Sequence, residues 1–336
     1  MKRNIAIIAG GNSSEAVVSL KSAAGIYSFL DRERYNVYIV TLIGRDWLVE
    51  TWHAASLQKN THATSLQKYP IDKNDFSFVL NGEKIRFDFA YITIHGTPGE
   101  NGILQGYFEL IGIPYSSCDV LVSALTFNKF VCNQYLKGFG VRVSESILLR
   151  KGQTISEKEV AEQIGFPCFV KPNVGGSSFG ITKVKSETEV QSAIANAFAE
   201  GDEVLIEAFI NGMELTCGMY KTAEKTVVFP VTEVVSHNEF FDFDAKYNGQ
   251  VEEITPARIS AELTKRVQKL TAEIYDILGC KGIVRIDYIV TKNEIINLLE
   301  VNTTPGMTAT SFIPQQVRAA GLSMSDVLGE IIENEF

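Results

Sequence analysis

The 336-residue chain lacks an excess of basic charge. Its formal net charge is −9 at neutral pH, which argues against a nucleic-acid partner or an anionic membrane surface, since both call for lysine and arginine in number. No apolar run approaches the roughly 20 residues that span a bilayer. The basic-then-apolar start, MKRNIAIIAGG, is too short for a secretory leader and reads as a first buried strand. Cys-x-x-Cys is absent. The five cysteines, at 118, 132, 168, 217 and 280, are scattered without a pairing pattern, as expected of reduced thiols in a cytoplasmic protein. Two phosphate-binding fingerprints are missing as well. Gly10-Gly11 does not extend into Gly-x-Gly-x-x-Gly, and the glycine run that ends at Gly180 is followed by Ile181 instead of the Lys-Ser/Thr of a P-loop. There is no internal repeat and no low-complexity tract. What remains is an ordinary globular composition, 45% hydrophobic and 21% charged, with length for roughly two or three domains.

The first third alternates strand and helix. An apolar strand, Asn4–Ala9, runs into Gly10-Gly11; residues 12–14 offer a helix cap, and a helical pattern extends from Glu15 to about Leu30. A second strand covers Tyr35–Leu42, so the unit reads as a parallel, Rossmann-like βαβ. Ligands bind at the carboxyl ends of such strands. Glu15 either serves the helix dipole or projects into a cleft there. His95 and the loop to Gly102 follow the strand Phe87–Ile94 and occupy the equivalent topological place. Trp47–Gly82 has weak periodicity and reads as a sheet edge and loops. A helix at Ile103–Ile111 and a short strand at Ile113–Tyr115 close this part near Cys118.

Further along, a helix over Ala124–Phe139 carries Lys129, and Ser156-x-x-Glu159 is a capping box. Lys171 stands ahead of a Gly/Ser loop, residues 175–180, between two strands. That arrangement is a plain hairpin or a loop whose N–H groups fold over phosphates. Residues 239–247 mix acidic and aromatic side chains and read as a functional loop. The amphipathic helix Ala261–Leu278 leads into a hairpin, IVRIDYIVTKNEIINLLEVNTTPG, at 283–306. A two-residue loop at Lys292-Asn293 would set Arg285 opposite Glu300, with Asp287 and Asn302 on the same face. Such groups are costly to bury unless paired. They form either a buried salt bridge or a set of hard oxygen ligands suited to Mg²⁺ and phosphate.

The motifs, taken in order, resemble one family. The glycine loop after Lys171, with Arg285-x-Asp287 and Glu300-x-Asn302, is similar to that of the ATP-grasp superfamily, and Gly10-Gly11-x-Ser13-x-Glu15, His95-Gly96-x-x-Gly99-Glu100-Asn101-Gly102, Lys171-Pro172 with Gly176-Ser177-Ser178, Asp244-Ala245-Lys246-Tyr247, Arg285-x-Asp287 and Glu300-x-Asn302 through Met307 narrow the likeness to one of its families. Within the superfamily, the whole chain resembles the D-alanine–D-alanine ligases. The resemblance implies a three-domain α/β and α+β architecture: an N-terminal Rossmann-like parallel-sheet domain at 1–118, a central ATP-grasp domain at 119–208, and a C-terminal one at 209–336. It implies ATP-dependent joining of two D-alanines through D-alanyl phosphate for peptidoglycan, in a cytoplasmic homodimer.

The same resemblance implies roles. Asp287, Glu300 and Asn302 would hold two Mg²⁺ ions, which Mn²⁺ can replace. Lys129, Lys171 and Lys246 would meet the ATP phosphates under the loop carrying Ser177 and Ser178. Glu207, Ala208, Phe209 and Ile210 would line the adenine, and Glu214 the ribose. Glu15 would take the ammonium of the first D-alanine, with His95 near its carboxylate. Ser177 would link Glu15 to Tyr247. Arg285 and the Gly306 N–H would form an oxyanion hole, and Ser311 and Phe312 would meet the second D-alanine. Two departures stand out, Ala208 where relatives often carry lysine and Phe312 where they often carry leucine; Asn101 for the commoner aspartate is within the motif's tolerance. Tyr247 favours D-alanine as second substrate. A D-serine or D-lactate ligase, or a non-catalytic ATP-binding protein of the same fold, are the competing readings.

Overall fold

The computed structural model describes residues 2–12, 15–50, 67–175, 180–236 and 251–336. Strand Arg3–Gly10 lies at the centre of the first sheet, parallel to Tyr35–Ile43 on one side and to Phe89–Ile92 on the other. Its last six residues are buried, as an apolar run covered on both faces must be. The sheet does not stay parallel. Asp46–Glu50 and Lys68–Pro70 add two antiparallel edge strands from the stretch that reads as an edge and loops. A separate hairpin, Ser77–Leu80 with Glu83–Arg86, closes that stretch. Its turn is Asn81-Gly82, both with positive φ, the pair that a two-residue hairpin loop demands. The Asn-Gly pair is a hairpin signal present in the sequence, masked by the weak periodicity around it.

The second sheet is antiparallel, in the order Thr182–Val184, Cys168–Pro172, Glu203–Ala208, Ser146–Arg150. Helices Glu157–Gln163 and Val190–Glu200 share its hydrophobic core, built on Val160, Val170, Ala193 and Ile206. The expected capping box is present: Ser156 Oγ accepts from the Glu159 N–H, and the Glu159 carboxylate accepts from the Ser156 N–H.

The third sheet runs Val251–Ile254, Thr232–Ser236, Met213–Lys221, Val284–Val290, Ile296–Asn302. One face packs on the helix Ala261–Leu278, which buries Leu263, Val267, Thr271, Ile274 and Leu278 at helical spacing. The opposite face, carrying Arg285 and Asp287, looks into a cleft. Two expectations change here. The connection between the paired residues Val290 and Ile296 covers 291–295 instead of two residues, and the register shifts at a bulge beside Asp287. Arg285 therefore pairs with Asn302, and Asp287 pairs with Glu300. The expected single helix at 124–139 is two, Val120–Phe127 and Lys129–Lys137. Asn128 breaks it by leaving helical geometry and accepting from the Val131 N–H at 3.0 Å. Lys129 thus opens a helix instead of lying inside one.

A single core joins the first sheet, its helix Ala16–Phe29 and the C-terminal helices Phe312–Ala319 and Met324–Glu333. The first helix meets the segment at 303–311 through small residues. Ser22 Oγ accepts from the Met307 N–H at 3.2 Å, and a Cβ on Gly25 would stand 2.2 Å from the Met307 carbonyl oxygen. Gly25→Ala should destabilise the protein. Overpacking against immobile backbone costs about 1–3 kcal/mol or more, which exceeds the ~1 kcal/mol that alanine gains in a helix. Thermal melting should show a lowered midpoint; a variant as stable as the wild type would mean that this contact is loose.

Candidate active site

The cleft encloses about 440 Å³ between the three sheets. Its floor is the hairpin. Arg285 lays its guanidinium along Asp287, with Nε at 2.9 Å and Nη2 at 2.7 Å from the two carboxylate oxygens. Nη2 lies 3.9 Å from Glu300. The Asn302 amide donates to Asp287 at 3.0 Å and to Glu300 at 3.4 Å. The pleat explains the grouping, since alternate residues of the two paired strands share a face. The side chains of Arg285 and Asp287 are 17% and 8% exposed. Burial works against the guanidinium's charge, but the Asp287, Glu300 and Glu214 carboxylates together outweigh it and raise the arginine pKa.

These residues fit a magnesium site of a particular kind. Among the described residues no three His, Cys, Asp or Glu side chains cluster as a self-sufficient metal cage. Two carboxylates and one amide oxygen make the partial, all-oxygen set of an ion that keeps phosphate oxygens in its shell. The Asn302 amide presents its NH₂ to the carboxylates, so a half-turn of that amide is needed to offer oxygen.

The second wall comes from the central sheet and the Lys129 helix. Lys171 and Glu207 are diagonal neighbours on adjacent strands and form a buried ion pair. Asn133 donates to the same carboxylate at 3.3 Å. Lys129 Nζ donates to the Gly175 carbonyl at 2.6 Å, and burial pushes its pKa down. Asn173 ties these parts together. It is fully buried, its side-chain oxygen accepts from the Phe130 N–H at 2.9 Å, and its amide donates to Asn128 and Glu203. Its partners lie 30 to 45 residues away along the chain, beyond the reach of any local spacing signal. The Ala208 N–H and carbonyl engage Glu145 and Ser144, and the Phe209 N–H engages Pro167. These backbone groups are thereby already engaged within the protein.

The third wall is the first sheet's carboxyl edge. Glu15 occupies the N-cap position of the first helix without a side-chain capping bond, and His95 follows the strand Phe89–Ile92; both line the cleft. His95 bonds to the Thr304 backbone. Burial lowers its pKa, Arg285 adds to that, and Glu15 opposes it. Glu100, which the motif contains without a role, also lines the cleft. Its carboxylate accepts from the Gly96 N–H at 2.7 Å. Burial, reinforced by Glu15 and Glu300, pushes its pKa up to about 8, against the pull of the Gly96 bond and Lys129.

At the far end, Ser311 caps the helix Phe312–Ala319 and its hydroxyl accepts from the Thr308 N–H at 3.1 Å. Gly306 packs beside it, and the Phe312 ring lies 5.2 Å from the Arg285 guanidinium. Glu214 stands on the third sheet opposite Ile289 and acts electrostatically on Arg285. Glu15, His95, Lys129, Arg285, Glu300, Asn302, Gly306, Ser311 and Phe312 thus share one cleft, with Lys171, Glu207 and Asp287 behind its surface. Ser177, Ser178, Lys246 and Tyr247 lie outside the described residues.

Two β-sheet units facing each other over a polar cleft, behind a Rossmann-like unit, define the ATP-grasp fold. Solved structures agree along the whole chain. The VanG D-Ala:D-Ser ligase from Enterococcus faecalis matches with a TM-score of 0.88 at 33% identity, covering 100% of both chains. The D-alanine–D-alanine ligase from Bacillus anthracis complexed with ATP matches at 0.75 and 30%, covering 99% of this chain and 97% of that one. Family models for the D-ala D-ala ligase N-terminus and C-terminus match residues 4–118 and 135–333. The D-alanine–D-alanine ligases of Bacteroides fragilis and Phocaeicola vulgatus are 68% and 66% identical over 336 residues, all of each chain. The chain belongs to the D-alanine–D-alanine ligase family.

Glu100 gives the site a pH signature. Its folded pKa is raised, so the native state holds a proton that the unfolded chain has released. The stability tied to that proton is present below the ordinary carboxylate range and is lost as pH rises through about 8. Glu100→Gln stays neutral throughout. Melting curves from pH 5 to 9 should show the variant gaining on the wild type as pH rises; a constant gap would mean that Glu100 ionises normally.

Proposed function

We propose that this chain uses ATP to join two D-alanine molecules into D-alanyl-D-alanine through D-alanyl phosphate, as a step of peptidoglycan synthesis. The observation that carries the reading is the convergence of three unlike walls on one cleft. An oxygen-donor floor (Asp287, Glu300, Asn302) meets the Lys129 side, and Glu15 and His95 face them from the first sheet. An ATP-binding protein without chemistry has no need of the third wall. The second substrate is D-alanine in this reading. The relatives named for D-alanine in both positions are 66–68% identical to this chain, against 33% for the D-Ala:D-Ser ligase.

The residues then divide the work. Glu15 would bind the first D-alanine's ammonium and His95 would stand by its carboxylate. Lys129 and Lys171, with Lys246, would hold the ATP phosphates, because phosphoryl transfer is mainly positioning and charge neutralisation. Asp287, Glu300 and Asn302 would hold Mg²⁺, which when bound neutralises phosphate charge. Glu214 would meet the ribose and residues 207–210 the adenine. Phosphorylation turns a poor electrophile into one with a good leaving group. The second D-alanine, held by its carboxylate at Ser311 beside Phe312, would attack the acyl carbon through its amine once the ammonium has lost a proton, and inorganic phosphate would leave. Arg285 and the Gly306 N–H would receive the oxyanion. Ser177, Ser178 and Tyr247 belong to segments assigned to cover the site and exclude water.

We place the work in three domains, 1–118, 119–208 and 209–336, and the enzyme in the cytoplasm, consistent with five free, buried cysteines. We assign it a homodimer through the first domain, supported by Val17, Ile103 and Leu110, which are 61%, 58% and 87% exposed on that domain's helices. Among the described residues no helix is long and apolar enough to cross a membrane.

Purified protein given ATP, Mg²⁺ and D-alanine should release phosphate and form dipeptide. Arg285→Met should keep ATP binding and lose about 10²–10³-fold in kcat, the usual cost of one oxyanion donor. Phosphate release without dipeptide from the wild type, or an unchanged kcat in the variant, would refute the assignment.

A further inference from the structure

Glu253 has no part in the roles above. It lies on the strand Val251–Ile254, paired with Val234, which pairs with Glu214, which in turn faces Ile289. Cross-strand partners project to the same side of a sheet. Arg285, Asp287 and Ile289 alternate onto that side, so Glu253 stands on the cleft face and lines the cleft with Arg285 and Gly306. Its carboxylate accepts a hydrogen bond from the Gln315 amide, whose nitrogen also donates to the Thr310 carbonyl at 2.7 Å. The side chain is thereby fixed to the Thr310–Phe312 turn, the end of the cleft assigned to the second amino acid. Burial raises its pKa, with Gln315 and Arg285 opposing. Among the described residues no lysine or arginine forms an ion pair with it, while Arg258 is spent on Glu233 in the next strand. A half-buried carboxylate fixed by a neutral amide and turned toward substrate is suited to a cation.

We propose that Glu253 receives the ammonium group of the second amino acid and so selects an amine over a hydroxyl nucleophile. The inference rests on the ligase reading above. Ser311 and Glu253 then hold opposite ends of one zwitterion: a hydroxyl and helix start for the carboxylate, a carboxylate for the ammonium. Arg285 repels the ammonium from the side where the oxyanion forms, so the nitrogen is kept between the acyl carbon and Glu253. A hydroxy acid such as D-lactate offers no charge to this residue.

The test compares wild type with Glu253→Gln, using D-alanine alone and D-alanine with D-lactate in competition. The variant should lose roughly 10- to 100-fold in kcat/KM for the second D-alanine, the worth of a hydrogen bond to a charged group. KM for ATP and for the first D-alanine should stay unchanged. The depsipeptide share of the product should not fall with the dipeptide, and Glu253→Asp should recover part of the loss. An unchanged second-site kcat/KM would overturn the inference. So would a variant that melts early or loses ATP binding, since that marks a structural residue. A wild type that forms no dipeptide overturns the ligase reading instead, before the variant is compared.

Discussion

Two carboxylates on one buried face repel each other, and the cleft is arranged around that repulsion. Asp287 and Glu300 are directly paired across the hairpin. Breaking a buried ion pair by removing one partner costs about 3–5 kcal/mol, so this face needs a counter-charge at all times. Arg285, doubly bonded to Asp287, supplies that counter-charge, with the Asn302 amide spread over both acids. A magnesium-loaded face would relieve the same repulsion. That would leave the guanidinium, already aimed into the cleft, for the charge that develops on substrate.

The other walls answer the same electrostatic demand from a distance. Lys171 is a buried cation held by Glu207, and the half-buried Lys129 is held by the Gly175 carbonyl. Glu100 relaxes the crowding of acids in the opposite way, by taking up a proton. The first sheet shares its core with the C-terminal helices, whereas the central sheet has a core of its own.

Much of this was legible in the sequence, and the reason is the strictness of the local rules. The apolar run before Gly10-Gly11, the Ser156–Glu159 box and the alternation Arg285, Asp287 each have one structural outcome. Failures came where a residue type serves two ends. Asn128 is tolerated in a helix yet caps one, so the break that sets Lys129 was not visible. Lys292-Asn293 looks like a hairpin turn, but five residues and a bulge intervene, and the pairing moved from Arg285–Glu300 to Arg285–Asn302. Glu253 on an outer strand reads as a solvated face until the sheet order shows which side it takes. Asn173 and Gln315 act only through partners far along the chain, which no spacing rule reaches.

The central claim is that the floor of this cleft supports transfer of a phosphoryl group to an amino-acid carboxylate before the peptide bond forms. D-Alanine labelled with oxygen-18 in its carboxylate tests it most directly. The account predicts that during dipeptide synthesis one labelled oxygen per turnover appears in the inorganic phosphate, with ADP as the nucleotide product. Unlabelled phosphate, or AMP and pyrophosphate as products, would contradict it.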